Sequence, residues 1–163
     1  MKAAHFIVLG LLALLPLGCS KQERALSTGT VISSTTLSGF KGDSAYVLVQ
    51  SSALPALYDN FRTVLSEQGL VRWDEKFDCN HFAALFIALS QAKYAVAAFQ
   101  SNTKAQTLAL GEVWYHPDKA PAFAGHAVVE ARTEKGTVWL EPQTGAVFQL
   151  TSTEQLSIYF SRW

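Results

Sequence analysis

Hydrophobic and polar positions along the chain divide it into segments of different period. Ala45-Tyr-Val-Leu-Val-Gln50 is a short apolar, β-branched run and predicts a strand. From Leu54 to Gln68 the apolar residues Leu57, Phe61, Val64 and Leu65 fall on one side of a helix. Pro55 suits its first turn and Gly69 its end. A second helix is predicted from Cys79 to about Ala97, with Asp78 as N-cap. Its apolar residues run nearly all round, which predicts a buried helix. Gln106–Tyr115, Gly125–Arg132, Thr137–Glu141 and Ala146–Leu150 read as strands. Gly111 weakens the first of these or marks a bulge, and 133–136 reads as a hairpin turn. Glu154–Phe160 suggests a short closing helix. Helices first and an antiparallel meander afterwards predict an α+β fold with N-terminal helices packed on an antiparallel sheet.

The start of the chain has another character. Lys2 precedes the apolar run Phe6–Leu15, then Pro16-Leu17-Gly18-Cys19-Ser20. A basic start, a short apolar stretch and small residues before a break describe a secretory signal over 1–18. The small residue before Cys19 resembles the lipobox of bacterial lipoproteins, although Pro16 stands where that family usually has Leu. The resemblance implies that Cys19 is lipidated and becomes the mature N-terminus. The expected location is then the cell envelope, anchored to a membrane by lipid on the periplasmic side; an ordinary signal peptide would instead make the protein secreted. No second run is expected to span a bilayer, Phe82–Leu89 being too short. Eight of the twelve residues from Ser27 to Ser38 are Ser or Thr. Such a composition buries little, so 19–40 is expected to be a tether and 41–163 the domain, with an edge strand at Thr30-Val-Ile as the alternative.

Composition narrows the functions. Basic and acidic residues balance at 13 each, with no basic run. Loss of 1–18 removes Lys2 and no acid, leaving a net charge of −1. That argues against a nucleic-acid partner, which needs a basic footprint. Two cysteines cannot make a disulfide framework or a four-cysteine zinc site.

With Cys19 assigned to lipid, Cys79 is the one remaining thiol. At a helix start, its sulfur faces unsatisfied N–H groups and the positive end of the dipole, which favours thiolate. The same N–H groups suit an oxyanion. The competing reading is a small buried apolar residue. His126 opens one predicted strand and Glu141 ends the next. A turn centred on Thr133-Glu134 sets them directly opposite; a turn spanning 133–136 makes them diagonal neighbours on one face. A one-residue slip would separate them. A carboxylate on that face fixes the imidazole's tautomer and supports its charge. The competing reading is a partly buried strand histidine beside a solvated Glu.

Phe77-Asp78-Cys79-Asn80-His81, then Gly125-His126-Ala127, then Glu141-Pro142-Gln143 resembles a small papain-like cysteine peptidase domain. It is similar to the peptidase domain of Marasmius-type agglutinins and its bacterial and phage relatives. The resemblance covers about residues 77–150. It implies a papain-like (NlpC/transglutaminase-like) core with Cys79 as nucleophile, His126 as general base and Glu141 as orienting carboxylate. Asn80, Gln68 and Asp78 are the residues it offers for the oxyanion hole and its surroundings, Gln68 being the nearest upstream Gln. Relatives often carry acids just after the Cys, where this chain has Asn80-His81, so no calcium is expected. Zinc on Cys79, His81, His116 and His126 is disfavoured, because Cys79 and His81 leave a helix on different sides. No metal or other cofactor is expected. The implied function is a membrane-anchored thiol hydrolase acting on a peptide or a peptidoglycan-derived peptide. The alternatives are a catalytically inactive binding module and a structural envelope lipoprotein.

Overall fold

A computed structural model describes residues 26–100, 106–121 and 124–163. The expected signal segment, Cys19 and the chain up to residue 25 lie outside them. The fold is α+β. Its order is β1 (Ser27–Ser33), β2 (Ala45–Val49), α1 (Leu54–Gln68), α2 (Cys79–Gln100), β3 (Thr107–Leu108), β4 (Leu110–Tyr115), β5 (His126–Thr133), β6 (Gly136–Leu140), β7 (Val147–Phe148), α3 (Ser152–Leu156) and β8 (Phe160–Arg162).

The sheet is mixed, not antiparallel throughout. β2 runs parallel to β3 and meets β5 in parallel at Val49 and Thr133. The reason lies in connectivity: α1 and α2 carry the chain back across the sheet between β2 and β3, as a parallel pair requires. The other pairings are antiparallel, with β4 between β5 and β8 and with β6 between β5 and β7.

The helices pack on one face. α1 buries Leu54, Leu57, Phe61 and Leu65, while Val64 is only half-buried. Gly69 ends it in a left-handed conformation, and Leu70 donates back to the Leu65 carbonyl at 2.9 Å. Phe61 meets Phe82 and Phe86 of α2 edge to face, at 6.5 and 5.5 Å between centroids. Val49, Leu108, Leu110, Val129, Ala131 and Leu140 complete this core. α2 is not buried all round: Phe82, Ala83, Phe86 and Ser90 are covered, but Val96 and Phe99 near its end are exposed. By length and composition alone α2 could cross a membrane, against the expectation that no second segment could. In the fold its first three turns are consumed by the core instead.

Three boundaries differ from the sequence reading. The expected tether contains β1, which pairs with β2 from Ser27 to Ser33, and Leu26 and Leu37 on either side are buried. The described fold therefore includes residues 26–40. Serine and threonine tolerate an edge strand because one face stays in water. The β4–β5 ladder runs through Gly111 without a bulge, the interruption falling at Ala109 instead. Gly111 is there because the Trp163 indole lies on it: a Cβ would come within 2.7 Å of the ring. Last, the closing helix is only Ser152–Leu156, set by a capping box between Thr151 and Glu154, and the chain then becomes β8.

Candidate active site

Asp78 ends the approach to α2. Its carbonyl accepts from Phe82 N at 3.0 Å, and its carboxylate accepts the backbone N–H groups of His81 and Asn80. That is the N-cap arrangement, and it makes Cys79 the first residue of the helix. The carboxylate also meets His81 Nδ1 at 2.8 Å. Burial is the largest single influence and raises the Asp78 carboxyl, but these hydrogen bonds together outweigh it and hold the carboxyl below its usual range.

The Cys79 thiol is half-buried and free. Beside it is the start of β5, and the His126 ring and the backbone of Ala127 are the groups there that act on the thiol. His126 Nε2 is 2.5 Å from Glu141 Oε2. Since Glu141 occupies Nε2, Nδ1 is the ring nitrogen left for Cys79. The β5–β6 register pairs Val129 with Leu140 and Thr133 with Gly136. That is the register of the 133–136 turn, so Glu141 reaches His126 diagonally rather than from directly across. The other oxygen of Glu141 accepts from Gln143 N at 3.0 Å. Tyr58 of α1 donates from its hydroxyl to the Gln143 carbonyl at 3.3 Å and so braces the same turn.

Tyr115 lies directly opposite His126 across the β4–β5 ladder. Its ring stands edge-on to the imidazole at 6.0 Å between centroids. Burial, with smaller contributions from Glu154 and Glu141, raises the Tyr115 hydroxyl to about 12, so it stays neutral. The sequence reading did not single out Tyr58 or Tyr115. The period of Gln106–Tyr115 carried the signal for Tyr115, but pairing it with His126 needs the strand register.

Electrostatics follow from these contacts. Burial pushes the Cys79 thiol up, but hydrogen bonding to His126 and Ala127 and the imidazole's charge outweigh it, and the net shift is downward. His126 is raised to about 9 by its hydrogen bonds to Cys79 and Glu141, against the cost of burial. Opposite shifts on adjoining groups favour transfer of the thiol proton to the imidazole, and thiolate is the form in which sulfur attacks an electrophile.

Gln68 is not part of this arrangement. It is the exposed last residue of α1 and has no hydrogen bond to Cys79, His126 or Glu141, because the turn at Gly69 and Leu70 carries the chain away first. Asn80 follows Cys79 on α2, and its buried Oδ1 lacks a hydrogen-bond partner among the described residues. Of the helix-start N–H groups, those of Asn80 and His81 serve Asp78, which leaves that of Cys79 for an oxyanion. His81 stacks on Phe77, and His116 stacks on Tyr159. Among the described residues no three His, Cys, Asp or Glu side chains come together as a metal site.

No protein-family model and no curated protein matches the sequence. Solved structures do resemble the fold. Polyporus squamosus lectin, bound to a human-type influenza-binding epitope, superposes with a TM-score of 0.52 at 20% identity, over 77% of this chain and 42% of the lectin's. A complex of PSL1a with E64 gives 0.53 at 20% identity, over 77% of this chain and 43% of the other. The chain thus spans less than half the length of these proteins, and at that identity the likeness concerns the fold.

Proposed function

We propose that this protein is a papain-like thiol hydrolase acting on an amide bond of a peptide or a peptidoglycan-derived peptide. One observation carries the reading: the His126 ring is hydrogen-bonded to the Glu141 carboxylate and acts on the Cys79 thiol at the start of α2. The Cys79 thiolate attacks the carbonyl carbon, and the developing oxyanion takes the Cys79 N–H. As the C–N bond breaks, His126 gives its proton to the departing amine and a thioester remains. His126 then removes a proton from water, whose oxygen displaces the thiolate, releasing the carboxylic acid. Glu141 keeps the imidazole oriented and supports its positive charge.

Two lines of likeness support this reading. The motifs resemble an agglutinin's peptidase domain, and a lectin is among the structural neighbours. One neighbour is a complex of PSL1a with E64. The lipobox-like start supports attachment to an envelope membrane through Cys19. One observation favours a second reading, a catalytically silent binding module: among the described residues no glutamine side chain is hydrogen-bonded beside the Cys79 N–H as an oxyanion donor.

Incubation of the full chain with peptide and muropeptide mixtures separates the readings. New amine termini that appear with the wild type and not with Cys79→Ala support the hydrolase. A thiol that E64 alkylates rapidly, with no turnover of either mixture, supports the binding module. A thiol inert to E64 until the chain is unfolded rejects both.

A further inference from the structure

The turn that carries Glu141 is held from two directions. From within, the Glu141 carbonyl accepts from Thr144 N at 3.3 Å and from Gly145 N at 2.7 Å, and its Oε1 accepts from Gln143 N. From outside, Tyr58 of α1 closes on the turn, although Tyr58 and Gln143 are 85 positions apart in the sequence. The Tyr58 hydroxyl donates to the Gln143 carbonyl, and its ring lies so near Gly145 that a Cβ there would collide with it. Gly145 also has a φ of +78, so glycine meets both demands at once.

Tyr58 also joins this turn to the helix that bears the thiol. Its ring is tilted against Phe61 at 6.1 Å between centroids, and Phe61 meets Phe82 and Phe86 of α2 edge to face. Phe82 stands about one turn after Cys79 on the same helix. α1 therefore touches both halves of the site, the thiol's helix through Phe61 and the carboxylate's turn through Tyr58. Close-packed interiors pass a displacement on to their neighbours, so the seat of α1 bears on both.

We infer that Tyr58 is a positioning residue: by fixing the 141–145 turn to α1, it holds the Glu141 carboxylate where it meets the His126 ring. The inference rests on the reading of Cys79, His126 and Glu141 as one site. A hydrogen bond between charged groups weakens steeply as it lengthens or tilts, so a carboxylate on a loosened turn supports the imidazolium less. Burial raises the Tyr58 hydroxyl above its usual range against the influence of Arg62, with Glu141 and Asp59 adding to the rise, so it stays a donor while His126 titrates. The groups that bear on His126 itself are Cys79 of α2, Glu141 and, through its ring, Tyr115 of β4.

The test follows the His126 ring by NMR in the full chain as pH is raised through about 9. Tyr58→Phe keeps the ring on Gly145 and removes only the donor, and should lower the midpoint. Tyr58→Ala removes both contacts and should lower it further, by at least about half a pH unit. Glu141→Gln lowers the midpoint by itself, and adding Tyr58→Ala to it should then shift the midpoint by less than about 0.2 unit. General loosening of the fold would lower Tm in both backgrounds but would not make the shift depend on Glu141. If Tyr58→Ala does not fold, Tyr58→Phe with and without Glu141→Gln makes the same comparison. Equal shifts in the two backgrounds, or a midpoint that Glu141→Gln moves and the Tyr58 variants do not, would overturn this inference alone. A midpoint that Glu141→Gln leaves in place would overturn the three-residue site, and the role of Tyr58 with it.

Discussion

At the scale of single residues, three side chains and their spacing carry the proposed chemistry. Because hydrogen bonding and the imidazole's charge lower the Cys79 thiol, its alkylation rate should have a pH midpoint below the roughly 8.5 of a free thiol. In His126→Ala the imidazole's hydrogen bond and charge are gone while burial and the Ala127 backbone remain, and the midpoint should rise. The basic side of any turnover profile reports His126 instead. Its affinity for the proton is raised, so the imidazolium persists through neutral pH and is lost as pH climbs through about 9. Glu141→Gln removes one cause of that rise. The basic limb should then move to lower pH and turnover fall roughly 10²–10⁴-fold, as initial rates across pH 6–10 would show. Chain order and motif spelling singled out Cys79, His126 and Glu141, and the structure brings His126 and Glu141 into contact. Gln68 was misread because nearness in sequence to Cys79 says nothing about which way α1 ends.

At the scale of elements, local signals worked where they were dense. Pro55, Gly69 and the spacing of Leu57, Phe61 and Leu65 define both ends and the buried side of α1. Asp78 defines the start of α2 in the same way. Short elements were harder: β8 has three residues and β7 two, too few for a period to emerge. Their formation rests on partners elsewhere, and Gly39 shows how closely these approach. Its φ is +76, and a Cβ there would collide with the backbone and hydroxyl of Ser161 in β8. Gly39→Ala should therefore cost at least about 2 kcal/mol, from left-handed strain and overpacking together. Calorimetry should register that as a fall in Tm of roughly 4–8 °C. An unchanged Tm would mean that the segment does not dock on β8.

At the scale of the whole molecule, the placement of residues 26–40 distinguishes a sheet from a tether. Their polar composition suggested a linker, whereas β1 lies along β2 and Leu26 and Leu37 are buried. Limited digestion of the full chain with a broad-specificity protease should leave fragments that begin at or before Leu26, and N-terminal sequencing would show it. Prompt cutting between Ser27 and Ser38 would restore the tether. The sequence by itself determined the α+β class, the two long helices and the β5–β6 hairpin, because caps, turn residues and hydrophobic period act between near neighbours. It also suggested that His126 and Glu141 share a face, which the β5–β6 register then decided against a one-residue slip. Only tertiary structure decided the parallel pairing of β2 with β3, the recruitment of β1 and the meeting of Cys79 with His126, 47 positions apart in the sequence. Those depend on how a helix start seats against a strand end, an outcome of packing across the whole core that no local pattern encodes.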